Sequence, residues 1–184
     1  VYARSRKAGE RVMALLRKCY GKLRLKVNEA KSAVASVKGR KFLGYSFWFA
    51  KKDVKRRVAD KPLVTFKQRV RQLTRRSCGR SMAEVIDKLK PYLSGWKAYF
   101  GLAQTPGIWR TLDEWLRHRL RAIQLRHWRR GSMIYRELIN QGAAEPVAKR
   151  VAGNSRCWWR NSNGDIKRVL TIACFDKLGV PRLS

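Results

Sequence analysis

The sequence predicts a mostly helical α+β protein, and three observations carry that prediction. Strand-like runs are confined to residues 23–27 and 41–49. From residue 60 onward apolar residues recur with the 3.6 period of a helix. Capping residues separate the periodic segments. A chain of 184 residues suits about one domain, or one and a fraction. With 45% apolar residues and seven Trp it is too hydrophobic for a disordered basic tail.

Taken in order, Ser5 is a cap for a helix running to about Tyr20, with Val12, Leu15, Leu16 and Cys19 on its buried face and Gly21 as its stop. Leu23, Leu25 and Val27 alternate with Arg24 and Lys26, the pattern of a half-buried strand. A second strand spans Lys41 to Phe49 and is apolar on both faces. Helix and short antiparallel strands make an incomplete unit, with Val1-Tyr2 as the candidate end of a missing first strand, so residues 1–60 are expected to be the remnant of a larger domain.

Asp60-Lys61-Pro62 opens a helix whose buried face is Phe66, Val70 and Leu73, ended by Gly79. Ser81 and Glu84 form a capping box for a second helix carrying Met82, Val85, Ile86, Leu89 and Trp96. Pro91 lies inside it and predicts a kink or break. Thr105-Pro106 starts a third helix that runs to Arg130 before Gly131, with Trp109, Leu112, Trp115, Leu116, Leu120 and Ile123 buried. Residues 61–131 are therefore expected to be a three-helix bundle. Residues 132–184 form a basic extension with short helices from Ser132 to about Gln141 and from Ala143 to Ala152.

The charge is extreme: 44 Lys and Arg against 12 Asp and Glu, a net +32 spread from end to end. Such a balance points to a polyanionic partner. No apolar run approaches the roughly 20 residues that span a membrane, and no signal-peptide pattern opens the chain, so nucleic acid is favoured over a membrane. The cysteines Cys19, Cys78, Cys157 and Cys174 are scattered, with only His118 and His127 beside them. Zinc sites use close ligand pairs, so reduced thiols, no metal site and a cytoplasmic setting are expected.

Lys67, Arg71 and Arg75 recur at four-residue steps, with Arg76 next to them, on a face turned away from Phe66 and Val70. On the third helix Arg110, Arg117 and Arg121 lie on one side of the Trp stripe, and Arg119, Arg126 and Arg130 on the other. Such faces usually carry acids at salt-bridge spacing. Here acids are nearly missing, and phosphate contact is the favoured reading. Asp113-Glu114 project about 100° apart on a helix and are expected to be solvated, not catalytic. Arg156 and Arg160 flank Trp158-Trp159, a pair suited equally to base stacking or to core anchoring.

Asn28-x-x-Lys31-Ser32, then Phe42-Leu43-Gly44-Tyr45, then a basic helical segment resemble the last palm motifs and the thumb of group II intron reverse transcriptases. The likeness is densest from Pro62 to Gly131, through Gly79-Arg80-Ser81, Leu93-Ser94-Gly95-Trp96, Tyr99-Phe100 and Trp109-Arg110. It continues through Asn154-Ser155-Arg156, Trp158-Trp159 and Gly179-Val180-Pro181-Arg182. The resemblance implies a palm remnant, a maturase or thumb region (domain X) and a C-terminal extension. It gives Lys31, beside Asn28, an electrostatic role toward phosphate, and Phe42, Leu43, Gly44 and Tyr45 the primer-positioning role of a primer grip. The whole protein would then perform RNA-directed DNA synthesis and assist intron splicing and mobility, with group II intron RNA, the RNA/DNA template-primer duplex and target DNA as partners.

The family draws its Mg²⁺ largely to a Tyr-x-Asp-Asp hairpin. No adjacent Asp-Asp occurs in this sequence, so no catalytic residue and no cofactor is assigned to this segment, and the isolated chain is expected to lack polymerase activity. The paired-cysteine endonuclease module of some relatives is not visible. The runner-up is a non-enzymatic basic RNA-binding module unrelated to polymerases. A metal-dependent nuclease would require a carboxylate or His cluster that the sequence lacks.

Overall fold

The computed structural model describes residues 1, 3–50, 53–75 and 79–184. Tyr2, Arg76 and Cys78, named above, lie outside them. The order is α1 (Arg6–Lys22), β1 (Lys41–Phe42), β2 (Tyr45–Ala50), β3 (Asp53–Val58), α2 (Asp60–Leu73), α3 (Met82–Phe100), α4 (Pro106–Trp128), α5 (Gly131–Asn140), α6 (Glu145–Gly153), α7 (Trp158–Asn161), a 3₁₀ turn (Asp165–Arg168) and α8 (Ile172–Lys177). The protein is α+β and mostly helical, with one antiparallel sheet ordered β1-β2-β3 among the described residues.

The N-terminal region departs most from expectation. Ser5 does cap α1, its Oγ accepting from the Ala8 amide at 3.2 Å, but the helix passes through Gly21 to Lys22. None of its residues is buried, and Leu15 and Cys19 are exposed. Periodicity marks the side on which a partner would sit; it does not supply the partner. The strand expected at 23–27 does not form, and Leu23 and Leu25 are exposed. A strand needs a hydrogen-bonded neighbour, and none pairs with this stretch among the described residues.

The strand expected from Lys41 to Phe49 is a hairpin instead. Phe42 pairs with Tyr45 across Leu43 (φ 48°) and Gly44 (φ 77°), the positive φ pair of a two-residue type I′ turn. β3 was not legible: Asp53, Lys55, Arg56 and Arg57 interrupt its apolar residues, and the strand exists because β2 pairs with it from Tyr45↔Val58 to Ala50↔Asp53. Its far edge is covered, since Gln104 donates its amide to the Arg56 carbonyl at 2.8 Å and accepts from the Arg56 amide at 3.1 Å.

α4 runs through the centre of the helical part. Its Trp109, Leu112, Leu116, Leu120 and Ile123 are buried with Phe66 and Val70 of α2 and Leu89, Leu93 and Trp96 of α3. Rings link the three helices: Phe66 to Trp96 at 4.4 Å and Trp96 to Trp109 at 5.3 Å between centroids. Trp115, expected in this stripe, is only partly buried. The same hydrophobic cluster extends from Val58 of β3 to Leu183, so the sheet end and the C-terminal segment share one core with the bundle.

Three helix boundaries differ. α2 ends at Leu73, before Gly79, and the Arg119 guanidinium closes that end by donating to the Thr74 hydroxyl (2.7 Å) and carbonyl (3.2 Å). α3 continues unbroken through Pro91, which is exposed, so the loss of one amide donor does not end the helix. α4 stops at Trp128 with Arg129 at φ 54°, and Gly131 begins α5 instead of ending α4. A Cβ on Gly131 would lie 2.8 Å from the Ala152 carbonyl oxygen, so this glycine permits close approach of α5 to α6.

The capping box forms as expected: Ser81 Oγ accepts from the Glu84 amide at 3.2 Å, and Glu84 accepts from the Ser81 amide at 2.7 Å. Ser81→Ala is expected to lower stability by about 1 kcal/mol, read as a shift in urea midpoint. The Ser81 hydrogen bonds hold the Glu84 carboxyl below its ordinary pKa. A depressed carboxylate contributes stability that is fully present above its unfolded value and is lost as pH falls through the folded one. The Ser81→Ala penalty should therefore shrink in melts taken below the ordinary carboxylate range.

Candidate nucleic-acid interface

Of the motif residues, Asn28 and Lys31 form a turn, not a strand. The Lys31 amide donates to the Asn28 carbonyl and to Asn28 Oδ1, both at 3.1 Å, and both side chains are exposed. The turn presents the Lys31 ammonium to solvent.

The hairpin tip is held firmly by α3. Tyr45 donates its hydroxyl to the Tyr99 carbonyl at 2.6 Å, and Tyr99 donates back to the Leu43 carbonyl at 3.2 Å. The Ala59 amide donates to the Gly44 carbonyl at 2.9 Å. Gly44 is required twice over, by its positive φ and because a Cβ would meet the Phe100 ring at 3.1 Å. Leu43 has no such freedom, and its left-handed backbone costs roughly 1–2 kcal/mol. The result is that Phe42 and Leu43 project into solvent at 57% and 65% exposure, while Tyr45 faces α3 as the anchor. The outer face of the sheet adds a signal that sequence reasoning missed: Trp48 is half exposed, with the paired Lys55 ammonium 5.9 Å from its ring centroid.

On the bundle, Arg71, Arg75 and Arg110 are exposed and Lys67 is partly so. Arg71 and Arg119 lie over the Trp115 ring at 5.6 and 5.4 Å, which joins α2 to α4. Arg156 and Arg160 are exposed as well. Among the described residues none of Lys67, Arg71, Arg110, Arg156 and Arg160 has a carboxylate partner. Trp158 packs against the core, whereas Trp159 is 40% exposed and stacks on His118 at 3.9 Å. His118 Nε2 donates to the Trp159 carbonyl at 3.0 Å, and burial pushes the pKa of the ring down.

Arg117 and Arg121 are a correction, because neither belongs to an exposed face. Arg117 is fully buried and donates to Asp113 at 2.7 Å and to Asp176 and the Pro181 carbonyl at 3.2 and 3.3 Å. Arg121 is 4% exposed and donates Nε to the Leu170 carbonyl at 2.8 Å. The segment around residues 170–184 covers this side of α4. Asp113, expected to be solvated, is buried and also accepts from the Leu183 and Ser184 amides. The i,i+4 spacing of Asp113 and Arg117 was the available signal; Asp176, 59 residues away from Arg117, was not readable.

No group of three or more His, Cys, Asp or Glu that could hold a metal occurs among the described residues. Cys19, Cys157 and Cys174 are free thiols. No helix is long and apolar enough to cross a membrane among the described residues. Residues 63–141 match the family model described as the group II intron, maturase-specific domain. No curated protein matches the chain.

Proposed function

We propose, from the match of residues 63–141 to the group II intron maturase-specific domain, that this chain serves splicing by binding intron RNA across the exposed faces of α2 and α4. The observation that carries the proposal is the set of exposed or partly exposed cations, Lys67, Arg71 and Arg110, inside the matched region, none with a carboxylate partner among the described residues. In an acid-poor chain these faces repel themselves unless phosphate neutralises them. Arg156, Arg160 and Lys31, each exposed, are further candidate phosphate contacts.

A second role is supported by the strained tip of the β1–β2 hairpin. Backbone strain held in place by surrounding contacts is a mark of functional sites. Phe42 and Leu43 are held outward by Tyr45, Tyr99 and Gly44, an arrangement suited to seating a primer end of a template-primer duplex. In a complete protein with polymerase carboxylates this would serve RNA-directed DNA synthesis; the described residues contribute positioning only.

The test is filter binding of purified protein to a group II intron RNA and to an unrelated structured RNA of equal length at physiological salt. The intron RNA is expected to bind at least about tenfold tighter, a difference of roughly 1.4 kcal/mol. Equal affinity would leave a basic RNA-binding module and remove the maturase assignment of these faces.

A further inference from the structure

A cavity of about 780 Å³ lies between α4 and the C-terminal segment, and its walls include Trp115, Arg117, His118, Arg121, Lys167 and Arg182. Four of these six are cations. Two of the acids nearby are already engaged: Asp176 accepts from Arg182 at 2.7 Å and from Arg117, and Asp113 accepts from Arg117 and two backbone amides. Glu114, also in the wall, is exposed.

Two donors in this wall are left over. Arg117 Nε is buried with no hydrogen-bond partner among the described residues. Arg121, 4% exposed, has no carboxylate partner among the described residues, and its single hydrogen bond to a described group runs from Nε to a carbonyl. A buried guanidinium without a counter-charge is expensive to hold. Burial, and then the like charge of Arg117, lower the pKa of Arg121. Lys167 stands exposed at the rim.

We propose that this cavity is a phosphoryl-anion site, with Arg121 as its buried fork and Lys167 as its outer cation. A guanidinium offers paired donors that match phosphate oxygens, and an ammonium adds a point charge. The half-buried Trp115, which carries Arg71 and Arg119 over its ring, lines the same wall and reports on its occupancy. The phosphate belongs either to a backbone of single-stranded RNA or to a small phosphorylated molecule. Only the first source depends on the RNA-binding reading above.

The probe is inorganic pyrophosphate, titrated into the full chain at constant ionic strength and followed by tryptophan fluorescence and thermal melting. Saturable binding with a rise in melting temperature is expected. Lys167→Gln should weaken it about tenfold, the usual effect of losing one charge-assisted contact, and Arg121→Lys should weaken it while keeping the charge. Lys18→Gln, on the exposed side of α1, should leave it unchanged. Displacement of pyrophosphate by a five-nucleotide RNA identifies a backbone phosphate as the natural occupant, and failure to displace it identifies a small phosphorylated molecule. Absence of saturable binding, or Lys167→Gln and Arg121→Lys proteins that fold and bind like the parent, would overturn the site. Neither result depends on intron binding, so loss of the maturase reading leaves the pyrophosphate arm standing.

Discussion

Asp113→Ala is expected to destabilise the protein by about 3–5 kcal/mol, because it removes one partner of a buried ion pair and strands the other. Arg117 is fully buried, and its second carboxylate, Asp176, is partly exposed and shared with Arg182. The same substitution frees the Leu183 and Ser184 amides, which Asp113 accepts at 3.0 and 2.8 Å. The C-terminal segment should therefore loosen from α4 before the bundle melts. Glu114→Ala, one residue away on the exposed side, should change stability by no more than about 0.5 kcal/mol. Urea unfolding of the two variants separates them. Equal midpoints would show that the buried pair is not what fastens the chain's end to α4.

Replacing Lys67, Arg71 and Arg75 together with Gln is expected to act on binding far more than on folding. Each lost phosphate contact should reduce the magnitude of the salt slope by roughly 0.7 to 0.9, or by about 2 to 3 for the triple variant if all three touch RNA. On the stability side Arg71 gives up its stacking over Trp115, which at a partly exposed ring is worth roughly 0.5–1 kcal/mol. Trp115→Ala should be milder than an emptied core site, since Trp115 is only partly buried. Leu116→Ala, at a fully buried position next to it, is the core control and should cost about 2–5 kcal/mol. A triple variant that melts far below the parent, or that binds RNA with an unchanged slope, would show that α2 presents a different face.

The contrast among these positions shows how far the sequence can be read. Period, the Ser81–Glu84 box and proline placement located α2, α3 and α4 because those signals are local; Thr105, expected as the cap of α4, makes no capping hydrogen bond, and Pro106 at the first turn marks that start. What failed was what depends on distant partners. β3 carries four charged residues and is a strand only because β2 pairs with it. The 23–27 run alternates like a strand and is none for want of a neighbour. At the candidate site, Lys67, Arg71 and Arg110 face outward as their spacing suggested. Arg117 and Arg121 share the same helical pattern but are covered by a segment about 50 residues later. Helical periodicity fixes angles around an axis, and coverage of each side is a tertiary fact.

The central claim is that exposed cations on α2 and α4 bind the phosphates of intron RNA, and the salt dependence of that affinity tests it most directly. Each neutralised phosphate releases counterions, so log affinity against log salt should be linear with a slope of roughly −0.7 to −0.9 per contact. With about five contacts, a filter-binding titration on group II intron RNA between 50 and 200 mM salt, roughly, should give a slope near −4. A slope near zero, with binding intact, would contradict the account.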